Sequence, residues 1–111
     1  MIATRTLDGI TILDVHGPLA AGQGDAALRQ AIRLAFDSGA RTVVLNMRDV
    51  PTIDSCGVAA LASGHMTAVN HGGQLKLCDL TRKLQDVFAV TRLDAVFHSY
   101  DTEGEAIASV V

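Results

Sequence analysis

Thr42-Val43-Val44-Leu45-Asn46-Met47 and the later Ile53-Asp54-Ser55-Cys56-Gly57-Val58 frame the part of the chain that decides the fold. The first run is short, apolar and β-branched, the pattern of a strand covered on both faces. The residues from Ser55 to Asn70 contain no proline and are long enough for a helix. Asp54 is of a preferred N-cap type, so its carboxylate can accept from the free N–H groups of a first helical turn that Ser55 opens. A hydroxyl is thereby expected at the corner where strand gives way to helix, beside a negative charge.

Working outward, strand and helix signals alternate without linker, repeat or low-complexity segment. Ile2 to Leu7 and Ile10 to Val15 are alternating runs joined by Asp8-Gly9, a dipeptide of tight hairpin turns, and Gly17-Pro18 ends the second. Gly24 to Ser38 reads as an amphipathic helix with Leu28, Ala31, Ile32 and Ala35 on its apolar side and Asp25, Arg29, Arg33 and Asp37 on the other, stopped by Gly39. After Gly72-Gly73, Gln74-Leu75-Lys76-Leu77-Cys78 reads as a strand. Asp79 is placed to cap a helix carrying Leu80, Leu84, Val87 and Phe88, and a strand near Val96 to Tyr100 and a short helix from Thr102 follow. This order predicts an α/β fold: a single domain over residues 1–111 with a mixed, mostly parallel sheet of about five strands and helices packed on it.

Composition narrows the function classes. Nearly half of the 111 residues are apolar, and a chain of this length buries roughly two thirds of its unfolded surface. A net charge of −3 with nine scattered Lys and Arg gives no positive stripe for phosphates, which argues against nucleic acid as a partner. No apolar run reaches the span of a bilayer and the first residues lack a signal-peptide layout, so a cytoplasmic protein without membrane insertion is expected. Cys56 and Cys78 have no metal-ligand spacing, and His16, His65, His71 and His98 are dispersed, so neither metal nor cofactor is expected. Ser55 lacks the Gly-x-Ser-x-Gly elbow and an identifiable base, which argues against an enzyme. Cys56, in a first helical turn, reads as a small core residue or as half of a redox pair with Cys78. Asp101, Glu103 and Glu105 read as a solvated negative helix start, and Phe36, Phe88 and Phe97 as core.

The helix opened by Ser55 carries no Lys, Arg, Asp or Glu up to Asn70. Val58, Leu61, Ala62, His65 and Val69 form the expected inward stripe, which leaves Ala59, Ala60, Ser63, Gly64 and Thr67 outward. A small, weakly polar outer face suits the approach of another protein. With the corner residues, the expected partner surface is Asp54, Ser55, Cys56, Gly57, Ala59, Ala60, Ser63, Gly64 and Thr67.

Four segments in this order and spacing carry a resemblance: Val44-Leu45-Asn46-Met47-Arg48-Asp49-Val50, Ile53-Asp54-Ser55-Cys56-Gly57, Gly72-Gly73-Gln74-Leu75 and Val87-Phe88-Ala89-Val90-Thr91-Arg92-Leu93-Asp94. The chain resembles the STAS family and, within it, the bacterial anti-sigma-factor antagonists. That resemblance implies a non-enzymatic transcription regulator whose serine after the aspartate, here Ser55, is the phosphate acceptor. It implies as partner an anti-sigma factor with serine kinase activity, and further a serine phosphatase. Two positions depart from the family pattern. Cys56 stands where Ser or Thr is frequent, and Gly17-Pro18-Leu19-Ala20 lacks an acidic residue found after Gly-x-Leu. The second reading is a STAS interaction module that no kinase modifies, in a signalling assembly or a transporter complex.

Overall fold

In the computed structural model, which describes residues 2–110, Asp8 and Gly9 both take positive φ (53° and 77°) and turn Ile2–Leu7 (β1) back on Ile10–His16 (β2). These angles are those of a type I′ turn, whose twist matches that of a strand pair, and the strands register antiparallel from Leu7↔Ile10 to Ile2↔Val15. Asp25–Asp37 (α1) follows, then Thr42–Asp49 (β3), Ser55–Asn70 (α2), Gln74–Cys78 (β4) and Arg82–Thr91 (α3). A single 3₁₀ turn over Leu93–Ala95, the two-residue strand Ser99–Tyr100 (β5) and Glu103–Ala108 (α4) complete the order. The sheet order is β1-β2-β3-β4-β5, antiparallel at the first pair and parallel beyond it. Of the domain expected over residues 1–111, positions 1 and 111 lie outside the described residues.

The alternation of β3 explains why it reads as apolar throughout. Val43, Leu45 and Met47 join Leu28, Ile32 and Phe36 of α1, Leu61 of α2 and Leu84 and Phe88 of α3 in the main core. Val44 points the other way, with Ile10, Ile12 and Cys78, and is covered by Ala106 and Ile107 of α4. Phe36, Phe88 and Phe97 are buried as expected.

Three local expectations are corrected. Asp79 does not cap α3: it sits at φ 56° with its carboxylate accepting from Asn46 Nδ2 at 3.0 Å, and Thr81 caps the helix by accepting from Leu84 N–H. The last strand is confined to Ser99–Tyr100, because Arg92 at φ 63° ends α3 and the following 3₁₀ turn drives Leu93 and Phe97 into the core. Glu103 is not simply solvated. It accepts from Asn46 Nδ2 and from Arg5, whose guanidinium also holds Asp14, Nη2 to Oδ1 at 2.8 Å. Arg5 thus pins α4 to the N-terminal hairpin and holds both carboxyls below the usual carboxylate range.

Candidate functional site

The site lies at the carboxyl ends of β2 and β3, two parallel strands whose following loops are stitched together. Leu19 N–H donates to Thr52 O at 3.0 Å, Asp54 N–H donates to Leu19 O at 3.1 Å, and Leu19 bridges Ile53 in parallel. Leu19 is fully buried beneath this seam.

Asp54 organises the corner. Its Oδ1 accepts from Cys56 N–H at 2.8 Å and Gly57 N–H at 3.1 Å, and its Oδ2 accepts from Ala21 N–H at 3.2 Å. The expected N-cap is therefore present, and it also ties the β2–α1 loop to the head of α2, which local sequence did not indicate. The three backbone donors, with Gly57 the strongest, hold the Asp54 carboxyl below its ordinary range. A carboxyl depressed in the folded state contributes stability that is complete above its unfolded pKa and disappears as pH falls through the lower folded value. Acidification below about pH 4 is thus expected to weaken the corner in wild type, while Asp54→Asn, a neutral cap, flattens that part of the stability profile in urea titrations at stepped pH.

Ser55 is exposed, and its neighbours on the solvent side of α2 follow at alternating steps of four and three residues: Ala59, Ala62, Met66 and Val69. Met66 and Val69 are 55% and 53% exposed, high values for side chains of this kind. The buried side is Gly57, Ala60, Leu61, Gly64 and Ala68. This corrects the expected faces. Leu61 is inward as expected, but Ala62 and Val69 are outward, Val58 and His65 are half-buried, and Ala60, Gly64 and Gly57 are turned inward and cannot contribute side-chain surface to a partner. The remaining expected surface residues are Asp54, Ser55 and Ala59, which are exposed, and Cys56, Ser63 and Thr67, which are half-buried.

The rotation has a steric cause. A Cβ on Gly64 would stand 2.6 Å from Ile32 Cδ1 and one on Gly57 2.3 Å from Leu19 O, so small residues face α1, where the Ile32 side chain presses in, and the β2–α1 loop, where backbone passes. The larger Met66 and Val69 are left in water. The four-three spacing in a charge-free helix was the available signal for Ala62, Met66 and Val69 as surface residues.

The cysteines are free and lie on opposite sides of the sheet: Cys56 heads α2 on the main-core side, and Cys78 packs with Val44 and Ile12 under α4. This overturns the redox pairing. Burial, then the nearby Asp79, pushes the Cys78 thiol up to about 12. Brief treatment of the native protein with iodoacetamide is expected to add one label, at Cys56, and a second only in denaturant; native labelling of Cys78 on the same timescale contradicts this placement. His65 packs edge-on against Phe97, ring centroids 5.5 Å apart, and no group of His, Cys, Asp and Glu among the described residues is arranged to hold a metal.

The fold is a five-stranded, mostly parallel α/β domain begun by a hairpin, with a serine exposed at the head of a charge-free helix. The chain belongs to the STAS domain family, whose model matches residues 1–106. An anti-sigma factor antagonist from Mycobacterium paratuberculosis shares 22% identity, with 99% of this chain and 92% of that one covered at a TM-score of 0.87. The Bacillus cell fate determinant SpoIIAA, in its phosphorylated form, shares 21% identity over the full length of both chains at a TM-score of 0.74. A sulfate transporter family protein from Wolinella succinogenes shares 21% identity, with 95% and 87% covered at 0.83. The sequence matches no curated protein at a significant level. No helix among the described residues is long and apolar enough to cross a membrane.

Proposed function

We propose that this protein is an anti-sigma-factor antagonist: unmodified, it captures an anti-sigma factor with serine kinase activity, and phosphorylation of Ser55 by that partner releases it. The observation that carries this reading is the position of the Ser55 hydroxyl, exposed at one end of the uncharged stripe Ala59, Ala62, Met66 and Val69. Phosphorylation adds close to two negative charges. Two first-turn amides that could receive a phosphate, those of Cys56 and Gly57, are already occupied by Asp54. The new charge therefore stays at the edge of the stripe, beside an ionised carboxylate. Covering it with a partner leaves a desolvated anion without compensation, at a cost of several kcal/mol. The helix itself tolerates the anion, because its N-terminal dipole favours negative charge. The switch acts on binding and not on folding.

The SpoIIAA structure in its phosphorylated form supports the reading to the extent that a relative with this fold carries the modification. The test is titration of the cognate anti-sigma factor with wild type, Ser55→Ala and Ser55-phosphorylated protein. Wild type and Ser55→Ala are expected to bind alike, and the phosphorylated form at least a hundredfold more weakly. Equal binding by all three overturns the switch and favours a fixed interaction module.

A further inference from the structure

Among the described residues the β1–β2 hairpin leaves one long sheet edge without a paired strand. β1 is the outermost strand, and among the described residues nothing pairs with its outer side. In a type I′ hairpin the residues flanking the two-residue turn form a hydrogen-bonded pair, and pairs of that kind then alternate with the other kind. Leu7, Arg5 and Ala3 therefore spend their N–H and C=O groups on β2, and Ile2, Thr4 and Thr6 direct theirs away from the sheet. Natural edges of this kind are guarded by proline, a bulge or an exposed lysine. β1 has none of these. Its one charge, Arg5, is held on the α4 face by the chain's own Asp14 and Glu103 and does not guard the edge.

We infer that β1 pairs antiparallel with β1 of a second copy, joining two five-stranded sheets into one across a two-fold axis at Thr4. The spacing is self-complementary: Thr4 faces Thr4 and Ile2 faces Thr6 in both directions, so every outward backbone group of the three residues finds a partner, and each pair exchanges two hydrogen bonds. Charge permits the approach, because Ala3 stands opposite the neutralised Arg5. A two-fold axis normal to the sheet also keeps both α1 helices on one face. There a groove of about 380 Å³ runs between Thr4, Thr6, Leu13, Ala31 and Leu34, and Leu34 is 57% exposed, so the two grooves meet across the seam. The opposite edge, β5, is only two residues long, so head-to-tail stacking through β1 and β5 lacks length and the contact closes as a dimer. The Ser55 stripe lies beyond β2 and plays no part in this contact, so the inference is independent of the proposed function.

Sedimentation equilibrium on the full chain, with amide exchange by NMR, tests it. The weight-average mass is expected to rise from the 11.6 kDa monomer towards twice that between roughly 10 µM and 1 mM, the range suited to an interface at the small end of the size scale. The Thr4 and Thr6 amides are expected to gain protection over the same range. Thr4→Lys places two charges face to face and is expected to weaken association at least tenfold, as is Thr4→Pro, which removes an outward N–H and no bond to β2. Should Thr4→Pro fail to fold, Thr4→Lys and the wild-type exchange data still decide. A wild type that stays monomeric at 1 mM, a dimer whose Thr4 and Thr6 amides exchange freely, or a folded Thr4→Lys that dimerises like wild type would each overturn the inference.

Discussion

Gly57→Ala is expected to lower stability by about 3 kcal/mol, seen as a fall of roughly 10 to 20 °C in Tm. The added Cβ would lie 2.3 Å from the carbonyl oxygen of Leu19, 2.6 Å from Ile53 Cγ1 and 2.9 Å from Leu19 Cβ. Two of these neighbours cannot turn aside, since Leu19 is fully buried and its carbonyl accepts the Asp54 N–H that stitches the two site loops. Relief requires the β2–α1 loop to part from the head of α2, which also removes the Ala21 bond to Asp54. Gly104 offers the contrast: a Cβ there meets nothing closer than 3.9 Å, and Gly104→Ala in α4 is expected to stabilise by about 0.5 kcal/mol through helix propensity. Thermal melts of both variants against wild type check the pair, and a Gly57→Ala protein as stable as wild type contradicts the close approach.

The second large effect concerns binding. Ala62→Arg is expected to weaken capture of the cognate anti-sigma factor about a hundredfold, or about 2.7 kcal/mol, with little change in Tm. Ala62 lies mid-stripe, one step from Ala59 and Met66, with its side chain in water. Arginine is a good helix former, so the fold tolerates it there, but it puts a long charged group where an uncharged surface is to be covered. Ala60 stands two residues away on the same helix and is fully buried. Ala60→Arg is expected to unfold the protein, so the two variants together report the orientation of α2. Retained affinity in a folded Ala62→Arg protein places the partner elsewhere.

Most of the architecture was legible because its signals are local. The Asp8-Gly9 turn, the apolar β3 run and the Asp54 cap each follow from a few adjacent residues, and α2 and β4 have the bounds those residues imply. What escaped was decided across the fold. The facing of α2 was expected from side-chain bulk, whereas the close passage of α1 and the β2–α1 loop selects the glycines and alanines for the inside. Asp79 is of the right type to cap a helix, but Asn46 on the neighbouring strand claims its carboxylate. Glu103 reads as solvated until the hairpin brings Arg5 to it from the other end of the chain. Within the site, the serine corner was visible in sequence, and the loop that Asp54 holds against it through Ala21 was not.

Mapping of phosphate on the protein purified from its native cells, beside a Ser55→Ala strain grown in parallel, tests the central claim most directly. The account predicts one phosphate on Ser55 in a fraction of the molecules that changes with growth condition, and none in the variant. An unmodified Ser55 across growth and stress conditions, or a phosphate that persists in the Ser55→Ala strain, would contradict it.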